Sequence, residues 1–134
     1  MTNTIQILPG GEGIKQAYRM SLKSNSLDIV CLAEEYAQVI GDFFEVEFAP
    51  KHYKKATREI LPDSPDNREY AKKKDAQNQV RFINGQSESD LLISDDKVTL
   101  ISFNQESPYA VVISDKTLVQ GFKNQYEALW DKIS

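Results

Sequence analysis

Hydrophobic and polar positions follow two different periods along this chain, and the changes of period mark its predicted strands and helices. Short apolar runs bounded by turn-forming residues predict strands, and they occupy residues 4–8, 27–32, 57–61, 80–83 and 109–113. Elsewhere, apolar side chains recur at steps of three and four, which is typical of helices. Helices are therefore predicted from near residue 12 to about residue 24, over 36–48 as the longest helix, over 66–74, and over 116–133.

The stretch from residue 89 to residue 104 is central to the predicted fold. Two apolar runs there flank a polar tetrad at residues 94–97, which suits a tight turn, so the pattern predicts a β-hairpin. Residues 109–113 supply a third strand directly after it. Residues 91–93 are apolar on both faces, as in a central strand that is covered by helices on each side.

This alternation predicts an α/β fold. We expect one domain over residues 1–134, with a mixed sheet of about six or seven strands and helices on both faces. The order strand, helix, strand at the start implies that the first two strands are parallel neighbours joined by a right-handed crossover. Trp130 completes the apolar stripe of the last helix, so we expect its side chain to be buried on the sheet.

Composition and charge narrow the class of protein. A net charge of -4 argues against a dedicated nucleic-acid binder, which usually needs a basic domain. The single cysteine, Cys31, excludes an internal disulfide and suits a reducing cytosol. We expect a cytoplasmic protein without a signal peptide or membrane span, because the chain has neither a basic start followed by an apolar run nor a long apolar stretch. A lone histidine and no Cys/His cluster predict no metal site and no cofactor.

Two local features allow a functional as well as a plain interpretation. Residues 10–13, Gly-Gly-Glu-Gly, lie between a strand and a helix, where they form either a turn and cap or a weak anion site. Residues 51–81 hold nine Lys or Arg against five acidic residues, a local balance of +4 that leaves -8 for the rest. This stretch is either a solvated helix face or a surface for a phosphate-bearing ligand or acidic partner.

The histidine invites a catalytic interpretation. His52 and Lys54, with Glu59 five residues further on, nearly match the HxKxxxxD signature of the phospholipase D superfamily. In that chemistry a histidine attacks phosphorus while a lysine holds the phosphate oxygens. Because Glu59 replaces the aspartate and the match spans a turn and the start of a strand, we interpret it as a coincidence. An active phosphodiesterase or nuclease that uses His52 and Lys54 is the alternative function.

A broader resemblance covers nearly the whole chain. It is carried by residues 12–18 after the first strand, the Tyr/Phe-rich helix, residues 95–100, and Phe122 through Trp130. Together they resemble the effector domain of TrmB-type regulators, prokaryotic sugar-responsive transcription factors with a phospholipase D-like fold. The winged helix-turn-helix that precedes this domain in such regulators is missing from the sequence. The resemblance therefore implies transcriptional regulation through a separate DNA-binding protein, without direct nucleic-acid binding by this chain.

The same comparison implies that catalysis has been lost. Along the hairpin, Asp95, Ser102 and Asn104 match the Asp, Ser and Asn of the active phospholipase D-like enzymes. Counting back from Asp95, Glu88 then takes the place of the histidine and Asp90 that of the lysine. Two acidic groups cannot replace the histidine and the lysine of this signature, and they would repel the phosphate oxygens.

We therefore predict a non-catalytic ligand-sensing or protein-interaction domain, with a purely structural interaction protein as a further alternative. Its effector, a sugar or a phosphate-bearing molecule, should bind outside the carboxyl ends of the parallel strands. The predicted polar lining is Arg58, Arg81, Asp95, Ser102 and Asn104. The resemblance also implies a homodimer, for which the aromatic residues Phe43, Phe44, Phe48 and Tyr53 are candidates; the other interpretation is that all four belong to the core.

Overall fold

A seven-stranded mixed β-sheet organises the structure, a computed structural model that describes residues 4–133. The remaining residues of the predicted domain, 1–3 and 134, lie outside the described part. The strands are β1 (Thr4–Pro9), β2 (Ser26–Cys31), β3 (Ala56–Pro62), β4 (Asn78–Ile83), β5 (Ser89–Ile93), β6 (Val98–Ser102) and β7 (Tyr109–Ser114). Their spatial order is β1-β7-β6-β5-β2-β3-β4. β2, β3 and β4 are parallel, and every other neighbouring pair is antiparallel.

Helices cover both faces of this sheet. They are α1 (Gly10–Ser21), α2 (Ala37–Ile40), α3 (Ala49–His52), α4 (Pro65–Lys72) and α5 (Lys116–Lys132), with a π-helical turn at Phe44–Phe48. One core lies under α1 and α2 and includes Leu92, and the other lies under α5 and includes Ile93. Leu92 and Ile93 are adjacent residues of β5, and they are buried on opposite faces of the sheet. The predicted central strand is therefore confirmed. The predicted α/β class, with a mixed sheet and helices on both faces, is confirmed as well.

The predicted neighbour of β1 was wrong. β1 and β2 point the same way, but β7, β6 and β5 lie between them, and β1 pairs antiparallel with β7. The hairpin β5–β6 and the strand β7 need positions with apolar neighbours on both faces, and they take the middle of the sheet. β1 is left at the edge.

The long helix predicted over residues 36–48 was also wrong in its continuity. α2 ends after four residues because Gly41 adopts a φ of +61°, a left-handed conformation that glycine tolerates best. A π-helical turn follows, and Pro50 lies in the first turn of α3, where its missing N–H costs nothing. The longest helix is α5, with 17 residues.

The aromatic residues of this segment mostly belong to the core. Phe43 is 5% exposed and Phe48 is 1% exposed, and both pack against Tyr18. Phe44 and Tyr53 are half-buried. Trp130 is buried on the sheet, as predicted from the stripe of α5.

Candidate functional site

A cavity of about 640 Å³ lies at the carboxyl ends of the parallel strands β2 and β3. Cys31 and Pro62, the last residues of these strands, form part of its wall, and Asp90 of β5 lies beside Cys31 in the register of the sheet. The loop after β2, the π-helical turn and the start of α4 contribute the rim. In open α/β sheets ligands collect at this edge, so the cavity is the candidate site.

Asp90 is a buried carboxyl group in the wall of this cavity. Its side chain is 5% exposed. The Tyr18 hydroxyl donates to Oδ2 at 3.2 Å, and the Ala33 N–H donates to Oδ1 at 3.1 Å. Burial raises the pKa of Asp90 to about 6, because neither partner carries a positive charge that would stabilise the anion. The group is therefore a negative charge held in the protein without a compensating cation in these contacts.

A second buried carboxyl group, Glu59 of β3, has such a cation. Lys74 Nζ lies 2.7 Å from Glu59 Oε1, and the Tyr70 hydroxyl is 3.2 Å from both carboxylate oxygens. Burial raises the pKa of Glu59 and lowers that of Lys74, whereas their close contact opposes both shifts. The Lys74 ammonium also lies 3.9 Å and 4.3 Å from the ring centroids of Tyr53 and Tyr70. An ammonium group is thus held between a carboxylate and two tyrosine rings beside the cavity.

His52 packs against this pair. The residue is 0% exposed, and its Nε2 lies 3.1 Å from Lys74 Nζ and 3.5 Å from Glu59 Oε1. Burial, reinforced by Lys74, lowers the pKa of His52 to about 3, so the ring is neutral at pH 7. Within the described residues its Nδ1 has no hydrogen-bond partner. Lys54, the other residue of the near-signature, is exposed and does not line the cavity.

The predicted polar lining is not brought together. Arg58 lies on the α5 face of the sheet, where its guanidinium pairs with Asp28 at 2.8 Å and with Glu127 at 2.9 Å. Arg81 donates to the carbonyl oxygens of Trp130 and Ile133 at the end of α5. Both arginines therefore hold α5 on the sheet, and neither lines the cavity.

The other three predicted residues lie at the two ends of the β5–β6 hairpin. Asp95 is in the turn, where it accepts from the Asn25 N–H and the Ser26 hydroxyl, each at 3.4 Å. Ser102 ends β6 at the opposite end, the end that carries Asp90. Asn104 follows it, and its side-chain oxygen accepts from the backbone N–H of Glu106 at 3.0 Å. These contacts are local and structural, and none of the three residues lines the cavity.

The buried carboxyl groups that line the cavity were not predicted as site residues. In the sequence analysis, Asp90 was considered only as a replacement for the lysine of the HxKxxxxD signature. Glu59 was considered only as a replacement for its aspartate. Each occurs in a strand otherwise rich in apolar residues, which indicates a buried carboxylate and was the available signal. Tyr18, which contacts Asp90, follows the apolar spacing of α1 and could not be distinguished from a core residue.

Comparisons with known proteins bear on the fold. No protein-family model matches the chain, and no curated protein matches it in sequence. Among solved structures it is similar to TrmBL2, described as an archaeal chromatin protein with a novel mode of DNA binding, with a TM-score of 0.62 and 18% identity. That match covers 97% of this chain and 53% of TrmBL2, so the chain spans about half the length of that protein.

Two further structures match over almost their whole length. NucT from Helicobacter pylori has a TM-score of 0.69 at 12% identity, with 98% of this chain and 97% of NucT covered. Nuc from Salmonella typhimurium, a phospholipase D family member, has a TM-score of 0.67 at 13% identity, with 99% of this chain and 97% of Nuc covered. The chain has a phospholipase D-like fold. At these identities the likeness concerns the fold alone.

The described residues hold neither a candidate membrane span nor a candidate metal cluster. Within residues 4–133, no helix combines the length and the apolar character that crossing a bilayer requires. The same part of the chain contains no group of three or more His, Cys, Asp or Glu side chains placed to hold a metal ion.

Proposed function

We propose that this chain is a non-catalytic sensing domain that binds a small-molecule effector in the cavity at the ends of β2 and β3. Its role is in transcriptional regulation, exerted through a separate DNA-binding protein. The observation that carries the proposal is the place of Asp90. It takes the position of the phosphate-holding lysine in the resemblance, and it forms part of the wall of an open cavity.

The chemistry of the cavity supports binding without phosphodiester cleavage. A phosphoryl-transfer site needs positive groups around the phosphate oxygens and an accessible nucleophile. The described lining contains five acidic residues and no Lys or Arg. Glu88, which the resemblance places at the position of the nucleophilic histidine, is exposed and acidic. A phosphate in this place would meet repulsion where an enzyme supplies attraction.

The alternative, a phosphodiesterase that uses His52 and Lys54, has one observation in its favour. His52, Glu59 and Lys74 lie within 3.5 Å of one another, which is a combination of acid, base and cation. Against it, the His52 ring is 0% exposed and Lys54 is on the outer surface. An incoming phosphorus atom could reach His52 only after the surrounding aromatic rings had moved.

The link to transcription comes from the resemblance to TrmB-type regulators, and the similarity to TrmBL2 supports a role connected with DNA. That protein is described as binding DNA, and this chain matches only 53% of it. A sensing domain of this fold with a net charge of -4 is better suited to a protein partner than to direct contact with the DNA backbone. A separate DNA-binding protein is the partner that we propose.

Hydrolysis and binding assays on one preparation test the proposal. We expect no turnover of bis(p-nitrophenyl) phosphate or of single- or double-stranded DNA above background. We also expect stabilisation in a thermal-shift screen by at least one small molecule among sugars and amines. Turnover that disappears in His52→Ala and persists in the surface variant Lys23→Ala would overturn the proposal in favour of the phosphodiesterase.

A further inference from the structure

The charged residues that line the cavity are all acidic. Its described lining includes five carboxyl groups and not a single Lys or Arg side chain: Glu34, Glu45, Glu59, Asp66 and Asp90. Only Glu59 has a cation in contact, Lys74, which approaches it at 2.7 Å from outside the lining. The other four have no described salt bridge. The cavity therefore favours a positively charged occupant and disfavours an anion.

Asp90 supplies the deepest uncompensated charge. It is 5% exposed, and the Tyr18 hydroxyl and the Ala33 N–H are neutral donors. An ionised carboxyl group that is buried without a cation is costly, which is why burial raises its pKa to about 6. A ligand cation in the cavity would remove that cost, so the energetic benefit of binding is largest at this residue.

The aromatic side chains of the wall suit an organic cation. Tyr18, Tyr36, Phe44, Tyr53 and Tyr70 all line the cavity. Aromatic faces attract ammonium groups and also pack against the methylene or methyl groups that these groups carry. The molecule already contains an example, because the Lys74 ammonium lies between the Glu59 carboxylate and the rings of Tyr53 and Tyr70.

A metal ion fits less well. Divalent cations need several oxygen ligands converging within a short distance. Among residues 4–133 no three His, Cys, Asp or Glu side chains converge in that way. The carboxyl groups of the cavity are distributed between its wall and its rim, with Asp90 buried and Glu34, Glu45 and Asp66 exposed. This distribution matches a ligand several bonds long better than a single ion.

We propose that the cavity binds a small organic ammonium compound, with Asp90 as the anionic anchor and the tyrosine rings as its walls. This inference rests on the proposed function, since it names the class of effector that the cavity takes. The ammonium group lies against Asp90 as the Lys74 ammonium lies against Glu59. The acidic residues of the rim attract the ligand from solution and contact any second ammonium group.

Isothermal titration calorimetry on the full chain tests this inference with defined probes. The probes are putrescine and spermidine as primary amines, choline as a quaternary ammonium, glucose and maltose as neutral sugars, and inorganic phosphate. We expect an ammonium probe to bind and the affinity to fall as the salt concentration rises. Binding of spermidine without choline would indicate hydrogen bonding to Asp90, and the reverse would indicate an aromatic cage.

Variants locate the binding. Asp90→Asn keeps the size of the side chain and an acceptor for the Ala33 N–H, and we expect it to weaken ammonium binding by roughly tenfold or more. Asp131→Asn removes an equal charge from the exposed part of α5 and should leave the affinity unchanged. Glu34→Gln, at the exposed rim, should weaken binding by a smaller factor. The Glu34→Gln variant tests whether the negative charge of the cavity contributes to the affinity, even if Asp90→Asn disturbs the fold.

The outcomes separate this inference from the function on which it rests. Binding of glucose or maltose without any ammonium probe would overturn the inference and leave a sensing domain. Equal affinity in Asp90→Asn, Glu34→Gln and the wild type would also overturn it, because the site would lie elsewhere. Failure of every ammonium probe to bind contradicts the inference outright. Phosphodiester turnover dependent on His52 would instead remove the sensing function itself.

Discussion

The ionisation of Asp90 affects both the stability of the folded protein and the charge of the cavity. Its pKa in the folded protein is about 6, above the value of 3.8 for an unperturbed side chain. Between these values the folded state keeps a proton that the unfolded state has released. The resulting stabilisation is present below pH 3.8 and is lost as the pH rises through 6. At pH 7 the wild type therefore carries the full cost of the buried charge.

Asp90→Asn should raise the free energy of unfolding at pH 7 by about 1–3 kcal/mol, because it removes a buried charge from a carboxyl group whose pKa burial raises from 3.8 to about 6. The gain should shrink as the pH falls from 6 to 4. Urea unfolding followed by circular dichroism across this range measures it. Asp131→Asn, an exposed position of α5, is the matched control and should show no such change. Lower stability of Asp90→Asn at pH 7 would mean that the carboxylate has a cation that the structure does not show.

His52 titrates in the opposite sense. Its pKa falls from 6.5 to about 3 in the folded protein, so the unfolded state binds a proton first. The contribution of neutral His52 to the free energy of unfolding is complete above pH 6.5. It is lost as the pH falls towards 3, by up to about 1.4 kcal/mol per pH unit. His52→Phe, which suits the surrounding aromatic rings, should flatten this acid slope. An unchanged slope between pH 6 and 4 in the variant would show that other groups account for it.

Among the helices, α5 is fixed to the sheet by Trp130. The indole is 5% exposed, stacks on Tyr126 with ring centroids 6.1 Å apart, and lies beneath the guanidinium groups of Arg58 and Arg81. Trp130→Ala should lower the free energy of unfolding by about 3–5 kcal/mol. Leu129→Ala on the same helix, at a side chain 37% exposed, should cost much less. Similar urea midpoints for the two variants would show that α5 is not docked in this way.

The junction between β1 and α1 depends on a close approach of backbone to backbone. A Cβ atom on Gly13 would lie 2.4 Å from the carbonyl carbon and oxygen of Leu8, too near for any adjustment of a side chain to relieve. Gly13→Ala should therefore lower the thermal midpoint. Gly121→Ala is the matched control, because a Cβ there meets nothing within 4 Å, and it should stabilise α5 by about 0.5–1 kcal/mol. A harmless Gly13→Ala would mean that β1 can shift away from α1.

Periodicity predicted most elements because burial on one or two faces leaves a direct imprint on sequence. The strands around residues 91–93 and 109–113 and the helix that carries Trp130 were found in this way. The long helix predicted over residues 36–48 was wrong in its continuity, because Ile40 and Phe43 keep a helical step of three and are both buried although Gly41 interrupts the helix between them. Spacing reports which side chains face the core, and it is insensitive to a local change of helix type.

The position of the candidate cavity followed from topology, whereas the residues that line it did not. Parallel strands with helical crossovers favour ligands at their carboxyl ends, and the cavity lies there. Arg58 and Glu59 are adjacent in β3, so their side chains point to opposite faces of the sheet. Arg58 faces α5 and Glu59 faces the cavity. Which face carries the cavity depends on packing by distant segments, and a sequence alone does not show this.

In the folded molecule, the surface best suited to the predicted homodimer is not the aromatic segment that the sequence analysis named. Phe43 and Phe48 belong to the core and cannot mediate contact between copies. The edge strand β1 instead carries Ile5 and Ile7, each 67% exposed, and it has a partner on one side only within the described sheet. Two copies of such an edge can pair antiparallel about a two-fold axis, because the same strand serves both subunits.

Sedimentation equilibrium should therefore show a dimer of the 15.2 kDa chain at micromolar concentration. Ile7→Lys places two charges in a two-fold interface and should convert the dimer to a monomer without a change in the far-ultraviolet circular dichroism. Val46→Lys is the matched control, because Val46 is also 67% exposed but lies in the π-helical turn. If Val46→Lys dissociates the dimer and Ile7→Lys does not, the interface lies on the side of the cavity and not at β1. A wild type that sediments as a monomer would rule out the homodimer, and the cavity would then have to act within a single chain.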